Sequence, residues 1–518
     1  MRYAAAACAA LAGRLSDTAI VQGAIRRSWG EVLERTASVA GGLARLGVRP
    51  GDRVAILSTN SDIYIELFLA IPWVGVAMVP LNTRWSSEEI VFAVSDSEPT
   101  AILLSDDFRS LTPALATAAP NARIVRLSGG DAGLDGDPTY GRLLDADPLP
   151  EQPGPDDELF GIFYTGGTTG RPKGVMLSHR GLLANAEALR ATGLFPSGCS
   201  VLHVAPVFHL AAGVAVIATT LAGGTHLPLQ AFDPVRVLEV LVAQQASDVL
   251  LVPTMIQMLL DHPSFTPASL SRLQRILYGA SPINESTLAR IQSAAPHVAF
   301  FQAYGMTEVS CAATVLRPED HLAEARRRGK HRSAGTAIAG VKIQIVEPGG
   351  QPLARGEVGE IAVKGPGVML GYWRQPQQTE QAVRDGWMHT GDGGWLDDEG
   401  YVHIVDRLKD MIVSGGENVY SAEVESVLAT HPAVGQCAVI GVPDACWGER
   451  VHAVVVLKPQ QVATSEELFE HCRSRIAGYK CPRSIDFRST PMPLSAAGKI
   501  LKNVLRESYW SERDRNVG

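Results

Sequence analysis

The sequence predicts an α/β protein. A large N-terminal domain of layered α/β subdomains carries a small β subdomain, and a small α+β C-terminal domain follows. Three observations predict this. Over the first two thirds, short apolar runs alternate with helical patterns, as in mostly parallel sheets covered by helices. From about Gly335 the texture changes to short alternating strands with tight turns. After Lys409, helix, strand and helix patterns begin again over about 110 residues, enough for a separate core. A chain of 518 residues also exceeds what one core supports.

The elements follow in order. Met1-Arg2-Tyr3 precedes an Ala-rich run, Ala4 to Leu11. One cation before an apolar run is compatible with a short signal sequence, but alanine is the best helix former, and an N-terminal helix is the preferred reading. Val32, Leu33, Val39, Ala40, Leu43 and Leu46 recur at helical spacing, Pro50-Gly51-Asp52 reads as a turn, and Val54 to Leu57 as a buried strand. Similar runs stand at Ala101 to Leu104, Val201 to Val204, Val249 to Val252, Ile276 to Leu277 and Val298 to Phe301. Gly129 to Asp157, rich in Gly, Asp and Pro, reads as an exposed excursion. Val341 to Val346 alternates, Pro348-Gly349-Gly350 turns, and Glu360 to Lys364 returns, which predicts the small β subdomain. Ser421 to Ala429 reads as a helix and Val451 to Leu457 as a strand.

Composition narrows the function. With 46% hydrophobic and 19% charged residues the chain is an ordinary globular protein, and a net charge of −8 argues against a general nucleic-acid binder. No apolar run reaches the roughly 18 residues that span a bilayer. Seven cysteines, an odd number without metal spacing, suggest reduced thiols and a cytoplasmic protein.

The densest motif is Tyr164-Thr165-Gly166-Gly167-Thr168-Thr169-Gly170-Arg171-Pro172-Lys173-Gly174. Four glycines, three threonines and two cations fall within eleven residues, just after the apolar run Phe160 to Phe163. Glycines bring backbone N–H groups close to a ligand, and hydroxyls and an ammonium suit phosphate oxygens. The segment reads as a polyphosphate cradle after a buried strand. It is not a Walker A loop, since Pro172 separates Arg171 from Lys173.

This loop resembles the phosphate-binding signature of the adenylate-forming superfamily, which includes acyl-CoA synthetases, luciferases and nonribosomal adenylation domains. Further matches follow in order: Tyr304-Gly305-Met306-Thr307-Glu308, Thr390-Gly391-Asp392, Asp406-Arg407-Leu408-Lys409-Asp410 and Gly498-Lys499. The resemblance implies a domain over 1–406 with nucleotide and acyl pockets and a mobile domain over 407–518 with its hinge near Lys409. It implies that ATP attacked at its α-phosphorus by a carboxylate gives an acyl-adenylate and pyrophosphate.

Roles follow from the same resemblance. Thr165, Gly166, Gly167, Thr168, Thr169, Gly170 and Lys173 would cradle the β and γ phosphates. Tyr304, with Gly305 and Met306 beside it, would stack on adenine, Thr307 would contact the α-phosphate, and Glu308 would hold Mg²⁺. Gly279, Ala280 and Ser281 would let adenine lie against backbone. Asp392 and Arg407 resemble the ribose ligands, and Lys499 the lysine that bridges carboxylate and phosphate.

The acceptor is read from the C-terminal part. Ser414-Gly415-Gly416-Glu417-Asn418 resembles a loop lining a pantetheine tunnel, Trp447 an aromatic that stacks on the adenine of coenzyme A, and Tyr479-Lys480-Cys481-Pro482 a segment at the coenzyme A entrance. Tyr420-Ser421 departs from the usual Tyr-Pro. Trp447 could equally be a core aromatic. Pro206-Val207-Phe208-His209 resembles an acyl gate, with His209 at its mouth and Ala211, Gly213, Val214 and Gly305 along the acyl path. Ala211 stands where plant coumarate ligases carry a tyrosine, so an aliphatic chain or an unsubstituted ring is expected. The function implied is an ATP- and Mg²⁺-dependent acyl-CoA synthetase. A stand-alone ligase loading a carrier protein and a catalytically silent nucleotide sensor are the alternatives.

Overall fold

The computed structural model describes the chain except residues 128–137, 166–171, 281, 282, 284, 408, 409, 415, 416, 445, 446, 495–499 and 511–518, and except the side chains at 407, 413, 417 and 418. The chain forms two compact units. One comprises Met1–Ala280, Thr287–Ile343 and Val363–Met388, and the other Ser281–Ser286, Gln344–Ala362 and His389–Gly518. This division does not fall at 406. The reason is local: Trp387–Leu396 pairs antiparallel with Val402–Arg407, which ties residues on both sides of that point into one sheet.

The first unit holds two sheets. A nine-stranded sheet runs Thr336–Ala337, Thr314–Leu316, Ala299–Tyr304, Arg275–Gly279, Asp248–Leu251, Ser200–His203, Thr225–Pro228, Thr18–Gln22 and Ile25–Ser28. Its central pairings are parallel, as the alternation predicts. A seven-stranded sheet runs Gly371–Tyr372, Lys173–Ser178, Leu159–Thr165, Ala77–Pro80, Arg53–Leu57, Ala101–Leu104 and Arg123–Arg126. It is parallel except at the edge formed by its first three strands. These central strands are apolar on both faces because helices cover both.

The helices carry their own stop and start signals. Trp29–Arg45 begins with a capping box between Ser28 and Glu31 and buries Val32, Val39, Ala40 and Leu43. The N-terminal helix Tyr3–Leu11 buries Tyr3, Ala4, Ala7 and Leu11, and Tyr3 meets Phe160 edge-to-face with ring centres 5.9 Å apart.

The stretch read as an exposed excursion is a correction. Of its described part, Tyr140–Leu144 is a short helix whose Tyr140 and Leu143 are each 2% exposed. Two glycines make room for it: a Cβ on Gly42 would lie 2.6 Å from the Leu143 Cα, and one on Gly41 2.0 Å from the Asp147 carbonyl oxygen. The fully buried Glu66 carboxylate also needs donors, which Tyr140, Arg27 and Arg35 supply.

The second unit contains most of a five-stranded sheet in the order Lys342–Val346, Gly359–Lys364, Trp387–Leu396 and Val383–Arg384, with Val402–Arg407 also paired to Trp387–Leu396. This is the expected β subdomain. A second five-stranded sheet follows in the order Glu417–Val419, Ile412–Ser414, Gly448–Leu457 and Val434–Asp444, with Ser484–Phe487 beside Gly448–Leu457. Helices Ser421–Leu428 and Ser465–Arg473 pack their Val424, Leu428, Leu468 and Cys472 into its core.

Candidate functional site

In the first unit, two neighbouring parallel strands end on bare backbone. Gly279 lies opposite Ala303, and a Cβ on Gly279 would stand 2.4 Å from the Ala303 carbonyl oxygen. A Cβ on Gly305 would stand 2.1 Å from the Cys311 carbonyl oxygen. Ala280 follows with φ +67°, and is exposed. Only small residues fit such a turn, and they leave peptide groups open to a flat ring. The register therefore brings Gly279 and Ala280 beside the segment of Tyr304, Gly305, Met306, Thr307 and Glu308. Ser281 lies outside the described residues.

The segment read as a phosphate cradle joins two paired strand ends: Thr165 closes Leu159–Thr165, Lys173 opens Lys173–Ser178, and the two face each other in register. Gly166, Gly167, Thr168, Thr169 and Gly170 lie outside the described residues. The Lys173 ammonium sits over the Tyr372 ring, 5.3 Å from its centre. The Tyr372 hydroxyl donates to Glu308 Oε1 at 3.0 Å, and the Met369 N–H donates to the Glu308 carbonyl at 2.8 Å. Burial, and then the Glu308 charge, push the Tyr372 phenol well above its ordinary pKa, so it stays a donor. Glu308 is 7% exposed.

This donor set fits Mg²⁺. Among the described residues no three His, Cys, Asp or Glu side chains gather as an all-protein metal cage. A single hard carboxylate beside a phosphate loop suits a cation that takes its other ligands from phosphate oxygens and water.

Two buried asparagines, unremarked in the sequence, shape this region. Asn185 is 3% exposed; its Nδ2 donates to the Ala312 carbonyl at 2.7 Å, and its Oδ1 accepts from the Ala312 N–H at 3.3 Å. It braces a tight loop in which Ser310 and Cys311 have φ +61° and +102°. Asn60, also 3% exposed, donates to the carbonyls of His203 and Ala205 and accepts from the Val207 N–H at 2.9 Å. It fixes the segment from His203 to Val207. For Asn185 the signal is a polar residue between Leu182-Leu183-Ala184 and Ala186; Asn60, within the polar run Ser58 to Asp62, offers none.

His209 caps the helix Leu210–Leu221, with the Phe208 ring 4.5 Å from its own. The next positions narrow the acyl reading. Ala211 retains some exposure, but Val214 has none, and a Cβ on Gly213 would meet the Phe68 ring at 3.2 Å. Val214 and Gly213 face packed protein, because this helix is apolar all round and buried all round. Of that stretch, His209 and Ala211 are half-buried and the other named positions are buried.

In the second unit, Asp392 and Arg407 are direct cross-strand partners, so the register joins the two ribose candidates. Glu360 orders the turn before Asp392, accepting from the Gly391 N–H at 2.9 Å and pairing with His389 at 2.9 Å. Asp406 is occupied otherwise: its Oδ2 accepts from the Ser421 N–H and hydroxyl, each at 2.5 Å. That explains Ser421 where a proline is usual, since proline has no N–H to give. Trp447 is 43% exposed, which rules out the core reading, and Arg483 lies 4.4 Å over its ring. Lys499, Gly415, Gly416 and Lys409 lie outside the described residues. The segment holding Lys499 is bracketed by a bridge between Leu494 and Ile500. Beyond it, helix Lys502–Trp510 is fastened by Lys502 to Glu425 at 2.7 Å and by Arg506 to Asp410 at 2.9 Å.

Known proteins resemble this chain over nearly its whole length. Residues 9–373 match the family model of the AMP-binding enzymes, and residues 423–499 that of the AMP-binding enzyme C-terminal domain. The chain is 40% identical over 495 residues to a feruloyl-CoA synthase of Amycolatopsis sp, covering 95% of this chain and 96% of that one. It is 36% identical over 468 residues to the long-chain-fatty-acid–CoA ligase FadD13 of Mycobacterium tuberculosis, covering 90% of each. The crystal structure of ATP-bound MatB from Rhodopseudomonas palustris superposes with a TM-score of 0.88 at 32% identity, over 98% of this chain and 99% of that one.

Proposed function

Because the chain belongs to the AMP-binding enzyme family and is an ATP-dependent, AMP-forming acyl-CoA ligase, we propose that its acid is apolar, fatty or aryl. The observation that carries the residue assignment is the grouping in one unit of two bare strand ends, a buried carboxylate and a loop-end lysine. Backbone at Gly279, Ala280 and Gly305 takes the adenine, with Tyr304 stacked on it. Lys173 and the loop threonines hold the β and γ phosphates, and Thr307 the α-phosphate. Glu308 holds Mg²⁺, which screens the phosphate charge when bound. Asp392 and Arg407 take the ribose hydroxyls.

The carboxylate oxygen attacks the α-phosphorus, and the bond to the bridging oxygen breaks to release pyrophosphate. Lys499 holds the two anions together as charge builds between them. The thiol of coenzyme A, losing its proton, then attacks the acyl carbon and AMP leaves. Gly415 and Gly416 line the pantetheine path, and Trp447, one face covered by Arg483, offers its other face to the adenine of coenzyme A. The functional boundary lies near Lys409, between 1–406 and 407–518.

The apolar reading rests on the gate: half-buried His209 and Ala211 stand at the start of a helix made of Leu, Ala, Gly, Val, Ile and Thr, with no charged side chain in it. The feruloyl-CoA synthase relative favours a second reading, an aryl acid with ring substituents. Among the described residues no helix is long and apolar enough to cross a membrane, and no disulfide joins the described cysteines, which fits a cytoplasmic enzyme. A panel of straight-chain, benzoic, cinnamic, hydroxycinnamic and dicarboxylic acids, assayed for acid-dependent exchange of pyrophosphate into ATP, tests the acid. Adding coenzyme A or a holo-carrier protein tests the acceptor. Exchange with no acid of the panel, or AMP release only with the carrier, would overturn the proposal.

A further inference from the structure

Tyr372 bridges the two charged groups assigned to the nucleotide. Its strand pairs antiparallel with Lys173–Ser178, with Tyr372 opposite Val175, which puts its ring under the Lys173 ammonium. Its hydroxyl reaches Glu308 Oε1 at 3.0 Å. The residue is itself fixed: its N–H donates to Thr379 Oγ1 at 2.9 Å, and the preceding Gly371 has φ +140° with no space for a Cβ, which would lie 2.9 Å from Thr379 Cγ2. The Met369 N–H holds the Glu308 carbonyl from the same segment.

We propose that Tyr372 is a positioning residue for the metal–nucleotide complex: it aims the Glu308 carboxylate with its hydroxyl and steadies Lys173 with its ring. The inference rests on the reading of Glu308 as the metal ligand and Lys173 as a phosphate ligand. A direct Lys–Glu ion pair would neutralise both groups. A neutral phenol contacts both groups without itself cancelling the charge of either.

The test uses the full chain, with ATP binding measured by calorimetry with and without Mg²⁺ and with pyrophosphate exchange followed across Mg²⁺ concentrations. Tyr372→Phe keeps the ring and loses the hydroxyl. It should raise the half-saturating Mg²⁺ concentration about five- to tenfold, the scale of one lost hydrogen bond, while leaving metal-free ATP binding and the KM for acid unchanged. Tyr372→Leu should in addition weaken metal-free ATP binding several-fold. Glu308→Gln should flatten the Mg²⁺ dependence, and Tyr372→Phe added to it should change nothing further. A wild-type Mg²⁺ response in Tyr372→Phe beside a flattened one in Glu308→Gln would overturn the role of Tyr372 alone. A wild-type response in Glu308→Gln would overturn the metal-ligand reading and this role with it.

Discussion

Gly305 and Cys311 meet backbone to backbone: a methyl group on Gly305 would stand 2.1 Å from the Cys311 carbonyl oxygen. Neither partner is a flexible side chain, so the loop must move to admit it. Gly305→Ala should lower stability by about 1–3 kcal/mol, the range for overpacking, and depress pyrophosphate exchange more than stability alone explains. Gly349→Ala, whose nearest neighbour would be Glu347 Oε1 at 3.5 Å, should stay within about 0.5 kcal/mol of wild type. Urea unfolding of both variants checks the contrast. Equal effects would show that the contact is not limiting.

Lys499→Ala should lose adenylation by about 10²–10³, as loss of a transition-state contact does, yet keep thioester formation from a supplied acyl-adenylate. Separate assays of the two half-reactions decide. Equal damage to both would mark a structural lysine.

Lys409→Pro should slow the coenzyme A step while sparing pyrophosphate exchange, and Lys409→Ala should be mild. A pivot needs free backbone angles, and proline fixes φ near −65°. Harm from alanine equal to that from proline would move the pivot elsewhere.

At the acyl end the effects should separate by position. Enlarging Ala211 should change the preferred acid, at roughly 1–3 kcal/mol per misfit methylene, without changing ATP affinity. Gly213→Ala should instead press on Phe68, 3.2 Å away, and appear as a lower melting temperature. Kinetics on an acid series, paired with melting curves, test this. A changed acid preference in Gly213→Ala at unchanged stability would contradict the packing.

Acid should weaken the first unit above the carboxylate range. Burial lowers His179 and His203 to a pKa of about 3 and His321 to about 4, and lowers His226 as well. Unfolded histidines titrate near 6.5, so below that pH the unfolded chain binds more protons than the folded one. The stabilisation is complete above about pH 6.5 and is lost as pH falls toward the folded values, by up to about 1.4 kcal/mol per pH unit for each histidine. Urea midpoints between pH 7 and 5 should fall, and less so in His179→Gln. A flat profile would show that these histidines accept protons in the folded state.

The parallel strands were legible because Ala101 to Leu104 is buried on both faces and reads as an unbroken apolar run, and Val201 to Val204 nearly so, broken only by the buried His203. The glycine positions were legible as motif, although their cause lies in backbone contacts. Tyr372, Asn185 and Asn60 were not, because their partners stand 64, 127 and 147 residues away. Nothing local distinguishes Tyr372 from the aromatic Trp373 beside it. The Tyr140 helix was missed for the opposite reason: its flanking Gly, Asp and Pro outweighed two apolar side chains, one of which, Leu143, packs against Gly42 while Tyr140 reaches Glu66.

The bare ends of the two strands at Gly279 and Gly305 have a consequence for how this enzyme can diverge. A ligand seated there meets peptide groups, which no point substitution can retune, and both positions reject even a methyl group. Drift at these two positions is therefore held close to glycine. At Ala211, the one half-buried position of its helix, drift is graded. New acid preferences can accumulate in small steps along one wall while the chemistry opposite stays fixed.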